Sequence, residues 1–398
     1  MVSSKVSQDA VMSKTFYNSL FEVPEGERIK SCIQCASCSG VCPYGYLMPF
    51  PPGKMIAYLR ADMFNKILNT DTVWLCISCY ACTQICPQQI PITAGLMTRT
   101  KEELVLAGNI PSELQLAFEN SQRYGNVMGQ SPRKRAEWIE GIEPKVGFMA
   151  NKKSTDVLWY VGDYPSYHPR VQATSRSFAK LLNALGINFG ILGPEEVSDG
   201  DSQRLAGERG LFEMLADKNG KAFAKYQFNE IITTDPHSYN ALKNIYPELG
   251  ISYPVKHYTQ FLAERIDQLR SLLKKELKTR VTYHDPCYLG RVNNVFDEPR
   301  SLLTSIPGVE LVEMAHNHAS SLCCGGGGGG MWLDGFQWEK AHARTSEWRV
   351  REALQVEADI LAVACPYEAP RFEDAAKMNP NAGKFLVKDI VELLAEAM

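Results

Sequence analysis

From residue 157 onward the apolar positions gather into short β-rich runs separated by stretches with helical spacing. The runs are VLWYVGD (157–163), INFGIL (187–192), FNEIITTD (228–235), YPVKHY (253–258), RVTYHDP (280–286), VELVEM (309–314) and DILAVACP (359–366). Between them Phe178, Leu181, Leu182 and Leu185 recur at i, i+3, i+4 and i+7 and stop at Gly186, as in an amphipathic helix with a glycine C-cap. Phe261, Leu262, Ile266, Leu269 and Leu273 form a second stripe. Both stripes read as core faces, and alternating strands and helices predict parallel sheets. The N-terminal part differs: PPGKMIAYLRADMFNKILNTDTVWLC (51–76) has helical apolar spacing and little β character. Residues 109–153 are polar and carry Pro111, Gly125, Gly129, Pro132 and Pro144, which predicts a connecting segment with short helices. Its basic knot, Arg133, Lys134 and Arg135, reads as a solvated face, with partner docking as the alternative.

A chain of 398 residues is long enough for two or three domains with real cores. Lys and Arg number 42 against 45 Asp and Glu, for a net charge of −3, so no bias toward nucleic acid or an anionic membrane follows. The N-terminal MVSSKVSQDAVMSK has no apolar core, so no secretion signal is expected. No run approaches the roughly 18 apolar residues of a membrane span. The expected location is cytoplasmic, with any membrane association made through a partner. Composition changes this picture at one point: there are 12 cysteines. In a reducing compartment that number favours metal binding over disulfides.

Eight of them fall in two identical spacings. Cys32, Cys35, Cys38 and Cys42 read C-x2-C-x2-C-x3-C followed by Pro43, and Cys76, Cys79, Cys82 and Cys86 repeat the pattern before Pro87. This is the bacterial ferredoxin signature for [4Fe–4S] clusters, in which the fourth cysteine ligates the other cluster. It predicts Cys32, Cys35, Cys38 and Cys86 on one cubane and Cys76, Cys79, Cys82 and Cys42 on the other. A pair of zinc sites is the alternative, but zinc ligands come as separated pairs, a poor match to a C-x2-C-x2-C triple.

The remaining four cysteines lie at predicted strand ends or loops: Cys287, Cys323, Cys324 and Cys365. Such positions hold ligand sites in α/β folds. Cys323 and Cys324 precede six glycines, Gly325–Gly330. Adjacent side chains on an extended chain diverge, so the two cysteines chelate one zinc poorly but can reach different irons of a cluster. Glycines would let the backbone approach that cluster closely. The alternative is a flexible tract beside unreactive thiols. No Gly-Lys-Ser/Thr follows, which excludes a phosphate loop.

HDPCYLGR, SLCCGGGGGGMW and ACPYE resemble the CCG domain of heterodisulfide reductase subunits, and NTDTVWLCISCYACTQICP resembles the two-cubane subunit of that family. The whole chain is similar to the heterodisulfide reductase D and sulfite-reduction-associated K proteins, and to the iron–sulfur subunits of anaerobic glycerol-3-phosphate dehydrogenase and glycolate oxidase. The resemblance implies a non-cubane [4Fe–4S] cluster on five cysteines. Here Cys287, Cys323, Cys324 and Cys365 match four of them, and the fifth position is Glu368, which either ligates iron through oxygen or faces solvent beside a four-cysteine cluster. The resemblance also implies a duplicated module whose first copy has lost its cysteines. Asp163 stands for the first cysteine, Ser198 and Asp199 for the adjacent pair, and Asp235 and Ser238 for the last two. The spacing agrees, with 34 residues between Asp163 and Ser198 and 35 between Cys287 and Cys323. These residues with His237 read as a solvated or hydrogen-bonded relic, or as a hard-metal or polar-substrate site.

The expected architecture is therefore an α+β chain in two parts: a mostly helical ferredoxin-like domain with two [4Fe–4S] clusters (1–108), a linker (109–153), a degenerate CCG-like α/β module (154–275) and a CCG-type α/β module with a cluster (276–398). The function implied is electron transfer within an anaerobic redox complex, of the heterodisulfide reductase, electron-bifurcating or class II benzoyl-CoA reductase kind, beside flavin-bearing or other iron–sulfur subunits. The rival is catalytic reduction of a disulfide or trisulfide at the single CCG-type cluster. A structural metal-binding interaction module is a non-redox alternative.

Overall fold

In the computed structural model, which describes residues 16–398, the chain divides into two compact units. One gathers the N-terminal segment through Leu116 with Ser202–Arg209 and Gly325–Arg344; the other gathers Ala117–Asp201, Gly210–Cys324 and Thr345–Met398. The N-terminal stretch read for a secretion signal lies outside the described residues.

The first unit is made of short helices and turns and, among the described residues, contains no strand. Helix Pro52–Arg60 begins on two prolines, tolerated where the first turn's N–H groups have no partner anyway, and buries Met55, Ile56 and Leu59. Helix Thr98–Leu106 buries Thr100, Lys101 and Leu104. This is the mostly helical character that the apolar spacing predicts.

The second unit holds eight strands in two parallel sheets. Strands β1 (Val157–Tyr160), β2 (Phe189–Ile191), β3 (Glu230–Thr233) and β4 (Val255–His257) lie in the order β2-β1-β3-β4. Strands β5 (Thr279–Tyr283), β6 (Val309–Leu311), β7 (Ile360–Val363) and β8 (Leu386–Asp389) repeat it as β6-β5-β7-β8. The region is thus a duplicated α/β fold, as expected. Six strands fall inside the predicted runs, and β5 begins at Thr279, one residue before its run. The eighth was not predicted: β8 is an edge strand in which only Leu386 and Val387 are apolar, too short a run to read as a strand. Inner strands β1 and β7 are buried at every position, as parallel strands covered by helices on both faces must be.

Trp159 of β1 anchors the core, with Trp138 at 5.1 Å and Phe178 at 4.9 Å between ring centroids. Phe178 belongs to helix Pro169–Ala184, whose apolar stripe ends at Gly186 with φ +69°. The second stripe is split between helices Tyr258–Ala263 and Ile266–Leu272, because Arg265 leaves helical geometry (φ −116°, ψ 24°). Residues 109–153 hold short helices, as expected of this segment: Ser112–Tyr124 and the 3-10 segment Pro132–Ile139. The basic knot is also corrected. Arg133 and Lys134 are exposed, but Arg135 is only 2% exposed, because Asp163 and Glu196 receive its guanidinium.

Candidate iron–sulfur centres

The two ferredoxin-type loops of the first unit share one backbone shape. Gln34 and Ala36 take φ of 57° and 61° in the first loop, and Ser78 and Tyr80 take 48° and 61° at the equivalent places in the second. Left-handed geometry costs a non-glycine residue on the order of 1 kcal/mol. Holding it twice in each loop coils the chain around a centre. Short helices Ser37–Gly40 and Ala81–Gln84 then carry Cys38 and Cys82 inward. One pocket is lined by Cys32, Cys35, Cys38 and Cys86, the other by Cys42, Cys76, Cys79 and Cys82. The fourth cysteine of each motif therefore meets the first three of the other. Burial pushes the Cys38 thiol up, and the charges of Cys32 and Cys86 add to it. Burial does the same to Cys42 and Cys82, with Cys76 and Cys79 adding. Four mutually repelling sulfurs around each pocket suit a cationic iron core.

The glycine tract belongs to this same unit. Gly328 has φ +60°, and a Cβ on it would meet Ser78 Oγ, the Cys76 carbonyl oxygen at 2.9 Å and Lys101 Nζ at 3.0 Å. Lys101 Nζ donates to the carbonyls of Cys76 (2.8 Å) and Gly328 (2.7 Å), and its side chain is fully buried. At Gly328 the close backbone approach is made to the Cys76–Cys79 loop.

In the second unit Cys287 follows β5 and Cys365 follows the adjacent β7, so both sit at the C-terminal ends of inner parallel strands. Cys287 Sγ lies 3.6 Å from Cys323 Sγ, well beyond the roughly 2 Å of a disulfide. Cys324, Glu368 and His284 offer donor atoms within 4.8 Å of one another. Glu368 is 1% exposed, which removes the solvent-facing alternative. Burial pushes its carboxyl up, and the thiols of Cys324 and Cys287 push it further. Its Oε1 lies 3.1 Å from His284 Nε2, and its Oε2 has no hydrogen-bond partner among the described residues. Arg371 Nε donates to the Cys324 carbonyl at 2.6 Å.

The corresponding positions of the first module are filled by oxygen. Ser238 Oγ donates to Asp199 Oδ2 at 2.6 Å and to Asp235 Oδ2 at 3.3 Å. Ser198 Oγ accepts from the Gly200 amide at 3.4 Å. Asp163 turns to Arg135 (2.6 Å) and to the Val127 amide (3.1 Å). Glu196 takes the other Arg135 nitrogen (2.9 Å) and the amides of Val161 and Gly162. Burial, then the neighbouring carboxylates, raise Asp199; burial likewise raises Asp235. Against its own burial, His237 is raised to about 9 by its 2.9 Å bond to Asp201 and by that carboxylate's charge. These residues are buried, so the relic is hydrogen-bonded rather than solvated. Its rings touch the cysteine site: His237 stacks on Tyr288 at 4.0 Å, and Tyr164 lies 4.5 Å from Tyr367. Sequence reasoning missed Arg135, Glu196, Lys101 and His284. Nothing in a single sequence separates a buried Arg or Lys from a solvated one; for His284 its place in HDPC beside Cys287 was the available signal.

Comparison with known proteins matches these two regions. The family described as Cysteine-rich domain matches residues 157–243 and 281–367, and the 4Fe-4S dicluster domain family matches residues 31–90. The chain is 30% identical over 313 residues to the D protein of the dihydromethanophenazine:CoB–CoM heterodisulfide reductase of Methanosarcina barkeri, covering 77% of this chain and 73% of that one. The chain belongs to the heterodisulfide reductase D family. Other relatives are longer. A probable iron–sulfur-binding oxidoreductase of Bacillus subtilis is 36% identical over 73% of this chain, and an EtfAB:quinone oxidoreductase of Syntrophomonas wolfei is 33% identical over 85%. This family member spans 41% and 48% of those two proteins. Its cofactors are [4Fe–4S] clusters, as the matched dicluster and cysteine-rich regions indicate. No helix among the described residues is long and apolar enough to cross a membrane.

Proposed function

We propose that the chain relays single electrons within an anaerobic, heterodisulfide-reductase-like complex, between two ferredoxin-type cubanes and one CCG-type cluster. Cys32, Cys35, Cys38 and Cys86 hold the first cubane; Cys76, Cys79, Cys82 and Cys42 hold the second. Cys287, Cys323, Cys324 and Cys365 hold the third cluster. The observation that carries this reading is that the thiol set of the second CCG module has no twin: the equivalent places of the first carry Asp163, Asp199, Asp235 and Ser238, already bonded to protein groups. Splitting a disulfide between two facing clusters requires both sets. The partners proposed are a flavin-bearing subunit and further iron–sulfur subunits, in keeping with a relative named as an EtfAB:quinone oxidoreductase.

The test uses the anaerobically purified, cluster-replete chain. Three clusters imply about 12 Fe per chain. Reduced viologen should reduce the clusters rapidly without turnover of heterodisulfides, glycolate or glycerol-3-phosphate. Cys82→Ser should damage one cubane and spare the CCG-type signal. Turnover by the isolated chain that Cys324→Ser abolishes would establish the catalytic rival instead.

A further inference from the structure

We infer that Glu368 is a ligand of the CCG-type cluster, supplying a carboxylate oxygen to one iron where the family has its fifth thiolate. The inference rests on the cluster reading above and goes beyond it, since that reading needs only the four cysteines.

Three observations carry it. First, Glu368 opens helix Glu368–Lys377 directly after the Cys365-Pro366-Tyr367 turn that leaves β7, so its backbone is placed where the family's last cysteine would stand. Second, its side chain is turned inward to 1% exposure, into the group formed with Cys324 Sγ, instead of outward as an acidic residue in a helix's first turn ordinarily sits. Third, Oε2 is buried with no hydrogen-bond partner among the described residues. A buried carboxylate oxygen without a donor is costly unless a cation meets it, and no Lys or Arg forms an ion pair with Glu368 among the described residues. An iron held by the neighbouring sulfurs supplies that cation.

His284 completes the donor group but is not a ligand in this assignment. Its Nδ1 accepts from Arg349 Nε at 3.1 Å. Arg349 is itself held by Glu352 (2.7 Å) and by the His316 carbonyl (2.6 Å). A neutral imidazole that accepts at Nδ1 carries its proton at Nε2. That nitrogen, 3.1 Å from Glu368 Oε1, therefore has no lone pair for iron. Nε2 makes no hydrogen bond among the described residues, so its N–H lies beside Oε1 without bonding it, and Oε2 is left for the metal. His284 is a positioning residue. An oxygen ligand is harder than a thiolate, so the iron that Glu368 holds differs electronically from the sulfur-ligated ones.

The test compares 57Fe-labelled, anaerobically prepared full-length chain with Glu368→Cys, Glu368→Gln and His284→Gln by Mössbauer spectroscopy, iron analysis and redox titration. The wild type should show about one quarter of the CCG-type cluster's iron with the larger isomer shift of oxygen ligation. Glu368→Cys should lose that component while keeping its iron and shifting the midpoint potential of that cluster alone. Glu368→Gln should lose iron from that cluster only. His284→Gln should keep the iron and the oxygen-ligated component with a shifted potential. A wild type with about 12 Fe and no oxygen-ligated component, or a Glu368→Cys variant that retains the component, overturns the inference and leaves the cluster reading intact. A wild type with about 8 Fe overturns the cluster reading and the inference with it.

Discussion

Replacing Lys101 by Met should lower the potential of the cubane assigned to Cys76, Cys79, Cys82 and Cys42, and of no other cluster. The Lys101 ammonium is fully buried, and its hydrogen bonds go to two carbonyls, one of them on a cysteine of that set. Among the described residues it forms no ion pair, so its charge acts on the cluster uncompensated. Burial pulls its pKa down, while the Cys76 charge opposes that; a net negative cluster opposes it further. A reduced cluster carries one more negative charge than an oxidised one, so a fixed cation beside it favours reduction. At a separation of about 7 Å and an effective dielectric near 20, one unit charge contributes roughly 2.4 kcal/mol, or about 100 mV for a one-electron couple. Methionine keeps the length of the apolar stem and removes the charge. The assay is a redox titration of the anaerobic chain followed by electron paramagnetic resonance, in which the other clusters serve as internal controls. Burial also predicts that the shift survives added salt. A change under about 20 mV, or an equal change in every cluster, would refute the assignment of Lys101 as a local determinant of potential.

Arg135→Met should destabilise the second unit by about 3 kcal/mol, the lower end of the cost of breaking a buried ion pair, because Glu196 keeps two amide donors and Asp163 keeps one; denaturant unfolding should show it, adding Asp163→Asn should recover part of it, and the iron count should not move. His237, raised to about 9 in the fold against about 6.5 unfolded, contributes roughly 3 kcal/mol that is fully present below pH 6.5 and lost as pH rises through 9. Asp201 and Asp235 carry the charge facing it, Tyr288 and Tyr367 pack on its ring, and the Cys287 charge adds in the same sense; the fall in stability between about pH 8 and 9 should be much shallower in His237→Gln than in the wild type, and an unchanged slope would sink the argument. Gly328→Ala forces a Cβ onto the Cys76 carbonyl at a positive φ, so one cubane should become labile to chelators while the CCG-type signal persists; equal lability of all clusters would contradict the placement of the tract.

How much of this was legible beforehand can be seen residue by residue. The cysteine spacings define thiolate sets because three cysteines on one tight loop can meet one cluster, and the structure brings the swapped fourth cysteines, Cys42 and Cys86, to the expected pockets. The inner strands β1 and β7 were readable because parallel strands covered on both faces are apolar throughout; the edge strands β2, β4 and β6 were read from short β-rich runs, and the edge strand β8, half polar, was not. The duplicated module was visible through the family resemblance, with which the gaps of 34 residues between Asp163 and Ser198 and 35 between Cys287 and Cys323 agree.

Local pattern therefore determined the cluster motifs and the strand and helix runs, since each depends on neighbours a few residues apart, while the internal repeat came from the family resemblance. Tertiary structure decided the rest: that Arg135 is buried against Asp163 and Glu196, that Lys101 and Gly328 clasp the Cys76 loop, and that Glu368 turns into the cysteine site beside His284. Each of these is a charge or a backbone contact whose partner lies tens to hundreds of residues away. The cost of burying a charge, or of fitting a Cβ, is set by that partner and not by the residue's own neighbours along the chain.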